Sequence, residues 1–321
     1  MQDDLGRDLS YLRISVTDRC NLRCRYCMPE EGVSFIEHSQ ILSYEEIIRL
    51  VRILAPMGIR RIRLTGGEPL VRQGLAQLVQ GIKQIEGIDF VGMTTNAVLL
   101  ETNIHDLELA GLDAINISLD TLNRDRYAAI TGRDVLDRAL AGLDAALNSK
   151  IKQIKVNCVL CPGMPLSDWN DLALLAKDKA IDVRFIEWMP MVGQAPVQED
   201  YVTLLQQELE AKFGRLQALR KDGNAGPAEM FALPDFKGRL GIIAAMSHSF
   251  CDQCNRLRLT STGRLQLCLF YDTGLELKAF LRGNYSDHEI SAAIGQAIKN
   301  KPAAHRAVAE KQELGMYKTG G

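Results

Sequence analysis

Cys20, Cys24 and Cys27 form a C-x3-C-x2-C motif, with Tyr26 immediately before the last cysteine. Iron–sulfur cubanes are ordinarily held by four thiolates. Three thiolates on one short loop can hold three irons and leave the fourth open. An open iron can chelate the amino and carboxylate groups of S-adenosylmethionine, and one electron delivered to the sulfonium then releases a 5′-deoxyadenosyl radical. The competing assignment is a zinc site completed by a distant fourth ligand such as His38, because structural zinc requires four tetrahedral ligands.

A second trio, Cys251, Cys254 and Cys268, reads C-x2-C-x13-C. His248 precedes Cys251 by three residues, and three cysteines with one histidine make a common structural zinc site, so spacing alone leaves zinc and iron open. Arg256 and Arg258 alternate along a predicted strand directly after Cys254 and so point the same way. A purely structural metal knob has no use for two such cations, whereas a site for an anionic substrate does.

Between the trios, Thr65, Gly66, Gly67, Glu68 and Pro69 follow the second predicted strand. Glycines there allow close backbone approach, and exposed backbone groups can bind the ammonium of a methionine moiety. Cys158 and Cys161 make a further C-x2-C at the end of a predicted strand, where a buried structural role is expected.

These groups need a scaffold. Residues 11–189 alternate strand-like and helix-like segments. Leu12, Ile14 and Val16 alternate with Arg13, Ser15 and Thr17; Ile62 and Leu64 mark a second strand; further strands are predicted near 88–93, 113–119, 153–160 and 182–188. Ser43 with Glu46 is a capping box that opens a helix through Ile47, Leu50, Val51 and Leu54, and Gly58 ends it. Six such βα units imply a parallel sheet with helices outside, as an open doubly wound sheet or a partial barrel. Both place ligands at the carboxyl ends of the strands. Thr65, Gly66, Gly67 and Glu68, then Thr94, Thr95 and Asn96, then Ser118, Asp120, Lys155, Asn157 and residues 187–190 should therefore line one mouth. After Pro196 a helix to about Phe213, a Gly/Pro-rich break at 223–227, short strands around the second trio and two terminal helices are expected. A boundary between 215 and 230 separates a domain over 1–220 from one over 221–321.

The 321 residues are 46% hydrophobic and 24% charged, as in an ordinary globular protein. A net charge of −2 offers no general attraction to nucleic acid or to an anionic membrane, so a phosphate ligand must be held by a local group of Arg and Lys. No apolar run approaches the roughly 18–20 residues of a spanning helix, and the first ten residues are too charged for a signal peptide. A cytoplasmic protein is expected, and there eight cysteines point to metal or redox chemistry rather than to disulfides.

The first trio beside the Gly-Gly-Glu-Pro loop resembles the radical S-adenosylmethionine superfamily, whose core is a partial barrel of six βα units. The resemblance implies an α/β fold, a partial TIM-like (β/α)6 barrel with a smaller C-terminal α+β domain carrying a second cluster. A narrower resemblance, over nearly the whole length, is to GTP 3′,8-cyclases. It rests on the run from Leu12 to Asn21 (LRISVTDRCN), on Tyr26-Cys27-Met28-Pro29, Gly226-Pro227-Ala228, Ser247-His248-Ser249-Phe250-Cys251, Cys254-Asn255-Arg256-Leu257-Arg258-Leu259 and Cys268-Leu269-Phe270, and on the terminal Gly320-Gly321. By this resemblance Cys20, Cys24 and Cys27 hold one [4Fe-4S] cluster, and Cys251, Cys254 and Cys268 hold a second whose open iron faces guanine. Tyr26, Gly67, Glu68, Ser118 and Met189 then contact S-adenosylmethionine, while Arg13, Arg63, Thr94, Lys155, Arg256, Leu257 and Arg258 contact GTP. The implied reaction removes the 3′ hydrogen of GTP and joins that carbon to C8 of guanine, giving 3′,8-cyclo-7,8-dihydro-GTP for molybdenum cofactor biosynthesis. The first trio, Arg256 and Arg258 would be the catalytic groups.

The implied partners are GTP, an external one-electron donor and a downstream cyclic pyranopterin monophosphate synthase, with no nucleic acid and no membrane; a homodimer is compatible. Two departures stand out: Ala97 where the family often has Gly, and Tyr317-Lys318-Thr319 before the terminal glycines. The rivals are a peptide-modifying maturase with an auxiliary cluster, which leaves Arg256 and Arg258 unexplained, and a non-catalytic zinc or iron module, which leaves the barrel without a purpose.

Overall fold

The computed structural model describes residues 1–28, 36–189, 199–220, 226–271 and 273–304. Six parallel strands form its centre: β1 (Tyr11–Ser15), β2 (Arg61–Thr65), β3 (Phe90–Thr95), β4 (Ala114–Ser118), β5 (Gln153–Val159) and β6 (Asp182–Ile186). The crossovers are α1 (Tyr44–Met57), α2 (Leu75–Lys83), α3 (Leu100–Leu109), α4 (Arg124–Thr131), α5 (Leu136–Leu147) and α6 (Leu166–Asp178). The expected caps of α1 are present: Glu46 N donates to Ser43 Oγ over 3.2 Å, Ser43 N to Glu46 Oε2 over 2.7 Å, and Gly58 closes the helix at φ 116°.

The strands lie side by side in chain order, β1 through β6. A doubly wound sheet reverses its order at a switch point, so unreversed succession decides for the barrel. The remainder of the chain adds α7 (Tyr201–Phe213), β7 (Gln217–Ala218), β8 (Glu229–Ala232), β9 (Arg239–Ile243), β10 (Arg256–Leu259), β11 (Arg264–Gln266), β12 (Gly274–Glu276), α8 (Lys278–Arg282) and α9 (Asp287–Ile298). β9 pairs parallel with β6, and β10 pairs parallel with β1. The twelve-stranded sheet is thus continuous, and its C-terminal strands extend both edges of the barrel. One expected strand moves: β3 starts at Phe90 rather than 88, because Ile88 closes a turn onto the carbonyl of Ile85.

Strand alternation separates two faces. Leu12, Ile14, Ile62, Leu64, Val91, Ile115, Ile117, Val156, Val183 and Phe185 have no exposed surface and pack in one core with Leu50, Leu54, Leu78, Ile82, Leu143 and Leu172 of the helices. Full burial of each such side chain contributes roughly 1.5–3 kcal/mol. The intervening positions, which include Arg13, Arg63, Thr94, Asn116, Lys155, Asn157, Arg184 and Arg258, line an interior cavity. TIM-barrel interiors are normally filled by branched apolar side chains; this one is polar and open.

Candidate active site

The first cysteine loop is held by the loop after β2. Gly67 N donates to Thr17 O and Glu68 N to Arg19 O, each over 2.8 Å. So close an approach needs bare backbone: a Cβ on Gly67 would lie 2.3 Å from Arg19 O, and Gly66 sits at φ 151°. Both glycines therefore grip the residues leading into Cys20. Glu68, 1% exposed, ties this loop to the end of β3 by accepting from Asn96 N over 2.7 Å, Thr95 Oγ1 over 2.7 Å and Leu70 N over 3.1 Å. Burial raises its carboxyl to about 7 despite those bonds. The Asn96 amide in turn donates to Cys20 Sγ over 3.8 Å.

Beyond the cysteines, Tyr26 donates its hydroxyl to Asp120 Oδ2 over 2.8 Å and meets Trp188 edge to face at 6.4 Å. Asp120 Oδ1 accepts from Val159 N over 2.9 Å, so the motif tyrosine is fixed to the ends of β4 and β5. Burial pushes the Cys20 thiol up to about 11 and the Cys27 thiol up to about 12, and neighbouring anionic groups add to both. Cys24 is raised further by burial, Asp120 and the other two cysteines. Ligation requires thiolates, so a metal body bound here has to supply the positive charge that keeps the three deprotonated.

In the second trio, Cys251 opens a short turn over Cys251–Gln253, and Cys254 N donates back to Cys251 O over 3.2 Å. The electrostatics differ from the first loop. Burial pushes the Cys254 thiol up, but the charges of Lys301, Arg256 and Arg7 and a backbone bond outweigh it, so the thiol titrates below its ordinary value. His38 and His248, the zinc-completing candidates, are both exposed and line no part of the cavity. Among the described residues no three His, Cys, Asp or Glu side chains are arranged around a single ion. At either site three soft sulfur donors stand on neighbouring segments, a donor set suited to iron–sulfur chemistry.

Both trios line one cavity of about 510 Å³, together with Tyr26, Gly67, Glu68, Ser118 and Met189. Among the described residues eight cationic side chains face it, Arg13, Arg61, Arg63, Lys155, Arg184, Arg256, Arg258 and Lys301, against two carboxylates, Glu68 and Asp120. Strand register places Arg258, Arg13 and Arg63 in one row across β10, β1 and β2. Gly92 continues the row on β3, and a Cβ there would touch Arg63 Nη2 at 3.0 Å, so glycine leaves room for that guanidinium. Arg63 Nε donates to the Tyr11 hydroxyl over 2.5 Å and Nη1 to Met93 O over 3.0 Å. Arg184 forks onto Asn157 Oδ1 at 3.0 and 2.7 Å. The Arg256 guanidinium lies 4.9 Å from the Phe250 ring centre, and Lys155 Nζ is 3.7 Å from Asp182.

Concentrating these charges has a cost. Burial brings Arg258 and Arg184 down to about 10, with Arg256 and Arg63 respectively as the strongest repelling neighbours. Burial and Arg184 lower Lys155 to about 8, and burial and Arg258 depress Arg13 well below its usual range. A polyanion entering this cavity relieves that repulsion. Thr94 Oγ1 and Asn116 Oδ1, register neighbours on β3 and β4, are buried in its wall without a hydrogen-bond partner.

One sequence expectation is corrected. Leu257 alternates with Arg256 and Arg258, so its side chain turns into the core and lines no part of the cavity. Sequence reasoning missed Arg61, Arg184, Asn116 and Lys301; for Arg184 the signal was there, since β6 reads polar at Asp182 and Arg184 around apolar Val183. Cys158 and Cys161 are fully buried, as expected of structural cysteines. The terminal Gly320-Gly321 and Pro29 lie outside the described residues.

The models of two families match the chain: the radical SAM superfamily over residues 14–176, and Molybdenum Cofactor Synthesis C over 181–307. The GTP 3′,8-cyclase of Thermodesulfovibrio yellowstonii is 43% identical over 305 residues, which cover 94% of each chain. The chain belongs to the GTP 3′,8-cyclase family. Molybdenum cofactor biosynthesis protein 1 of Dictyostelium discoideum is 38% identical over 97% of this chain and 50% of that protein. Among solved structures, Streptococcus suis SuiB bound to S-adenosylmethionine superimposes with a TM-score of 0.65 at 14% identity, over 92% of this chain and 68% of that one, a likeness of fold alone. Membership of this family brings with it a [4Fe-4S] cluster and S-adenosylmethionine.

Proposed function

We propose that this chain converts GTP into 3′,8-cyclo-7,8-dihydro-GTP, the first step of molybdenum cofactor biosynthesis, with a cysteine-held cluster at each end of one cationic cavity. The observation that carries the reading is the shared cavity: two cysteine trios and eight Arg and Lys side chains line the same space. The cluster at Cys20, Cys24 and Cys27 supplies, with S-adenosylmethionine and one electron, the carbon radical that begins the chemistry.

The chain's own residues position the reactants. Gly67, Ser118, Tyr26 and Met189 surround S-adenosylmethionine, and Asp120 fixes Tyr26 from behind. Arg13, Arg63 and Arg258 in their row, with Lys155, take the triphosphate by charge-assisted hydrogen bonds. Cys251, Cys254 and Cys268, flanked by Arg256, would hold a second cubane able to take guanine, and Thr94 offers its unpartnered hydroxyl to the nucleotide. The 3′ hydrogen of GTP would pass to the adenosyl carbon, and the 3′ carbon would then bond to C8. One further electron and a proton complete the dihydro product, so an external one-electron donor is drawn on twice. Burial of these groups keeps water from the carbon radicals.

Among the described residues no helix is long and apolar enough to cross a membrane. A cytoplasmic location, transfer of the product to cyclic pyranopterin monophosphate synthase, a homodimer and a division at 215–230 belong to the same proposal. The test is a pair of variants. Cys20→Ala is expected to abolish cleavage of S-adenosylmethionine, whereas Cys268→Ala is expected to retain cleavage and lose cyclisation. Cyclisation by Cys268→Ala would remove the second trio from substrate binding.

A further inference from the structure

Two buried cations outside both cysteine motifs converge on the second trio. Lys301, 6% exposed, donates from Nζ to Arg256 O over 2.9 Å and to Leu267 O. Arg256 stands two residues after Cys254, and Leu267 directly precedes Cys268, so one ammonium joins the two halves of the C-x2-C-x13-C motif. Arg7, also 6% exposed, donates from Nη1 to Cys251 O over 2.9 Å and to Ala303 O over 3.1 Å. Its Nη2 reaches Pro302 O over 2.8 Å and Lys301 O over 3.3 Å, and its Nε is paired with the buried Asp3 at 2.6 Å. The amino-terminal segment, the second cysteine loop and residues 301–303 are thereby locked to one another. Ser10 N and Tyr11 N add bonds of 3.2 and 3.1 Å to Asn255 O.

We propose that Lys301 and Arg7 are positioning residues that set the spacing of Cys251, Cys254 and Cys268 before any cluster is inserted. Apart from Asp3 the acceptors are main-chain carbonyls, three on or beside the cysteine-bearing segments and three on residues 301–303, so the bracket controls backbone position and leaves the thiols to the metal. Buried cations are rarely retained without partners. Here their charge also offsets that of three half-buried thiolates. The inference rests on the two-cluster reading and deepens it, since it states what holds the second site open.

The test compares wild type with Lys301→Met, Lys301→Arg and Arg7→Gln, as full chains reconstituted anaerobically. About eight irons are expected in wild type and about four in Lys301→Met and Arg7→Gln. Those two variants are expected to keep the reduced-state spectrum of the first cluster and cleavage of S-adenosylmethionine, while cyclisation is lost. Lys301→Arg, which keeps a cation with several donors, is expected to recover most of the missing iron. Eight irons and a wild-type spectrum in Lys301→Met overturn the proposal. So does loss of both clusters with a lowered melting temperature, which makes Lys301 a general support of the fold. If wild type itself takes up only about four irons, the two-cluster reading fails, and the bracket is judged on the iron-free chain. Amide hydrogen exchange of residues 251–256 and 266–268 should then be at least about threefold faster in Lys301→Met than in wild type, with that of residues 20–27 unchanged. Equal rates overturn it.

Discussion

Replacing Gly67 with alanine puts one methyl group where the structure has the main chain of the first cysteine loop. The added carbon would sit 2.3 Å from Arg19 O, 2.6 Å from its carbonyl carbon and 2.9 Å from Asp18 O. Ordinary contact begins at 3.4 Å, so the two loops must part by about 1 Å. Forced overpacking costs about 1–3 kcal/mol. The bonds Gly67 N to Thr17 O and Glu68 N to Arg19 O, each 2.8 Å, are both broken by a shift of that size, and each is worth about 1 kcal/mol. The total is about 3–5 kcal/mol. With unfolding entropy near 2.1 cal/mol/K per residue over 321 residues, the melting temperature falls by about 4–7 °C. The functional loss is larger than the loss of stability, because residues 17–19 lead directly into Cys20. A misplacement of about 1 Å costs on the order of 100-fold in a positioned reaction. The assay is anaerobic formation of 5′-deoxyadenosine, run beside a thermal scan. Wild-type cleavage with an unchanged melting temperature would show that the glycine is not there for the loop contact.

Arg256→Ala is expected to weaken GTP binding by about 1.5–3 kcal/mol for each charge-assisted bond lost, or about 10- to 150-fold, by calorimetry without reductant; unchanged affinity assigns that guanidinium elsewhere. Lys155 gives a pH signature. Its ammonium titrates at about 8 in the empty protein, lowered by burial and Arg184. Below that pH it is charged and attracts a triphosphate; as pH rises through about 8 the charge is lost, so GTP affinity should fall by up to about tenfold per pH unit. Stability of the empty protein runs the other way. The unfolded chain keeps this proton to about 10.4, so between pH 8 and 10 the unfolded state binds more protons and stability rises with pH. Lys155→Gln should flatten both trends, and a wild-type affinity profile that stays flat across pH 7–9.5 contradicts the assignment.

Much of the site was legible because its chemistry resides in side-chain types at fixed local spacing. Both trios, the Gly-Gly-Glu-Pro loop and Arg256 with Arg258 could be singled out without knowing any contact. Strand periodicity gave the six βα units, and unreversed strand order then settled barrel over open sheet. What stayed hidden depends on pairing between distant segments. β9 completes the parallel sheet beside β6 across more than fifty residues, and nothing local in Arg239–Ile243 announces its neighbour. Arg7 and Lys301 act on carbonyls, which every residue carries, at sequence separations of 244 and 45. Leu257 was misplaced for the opposite reason: a motif marks consecutive residues, while a strand turns alternate side chains to opposite faces. The two glycines were read as a place for a ligand to approach, and the structure shows that they first let the cysteine loop approach.

The reaction itself is tested most directly with GTP carrying deuterium at the 3′ position, incubated anaerobically with the reconstituted protein, S-adenosylmethionine and a one-electron reductant. The expected result is a cyclised dihydronucleotide together with 5′-deoxyadenosine that has gained one deuterium. Deuterium-free 5′-deoxyadenosine beside unaltered GTP would contradict it.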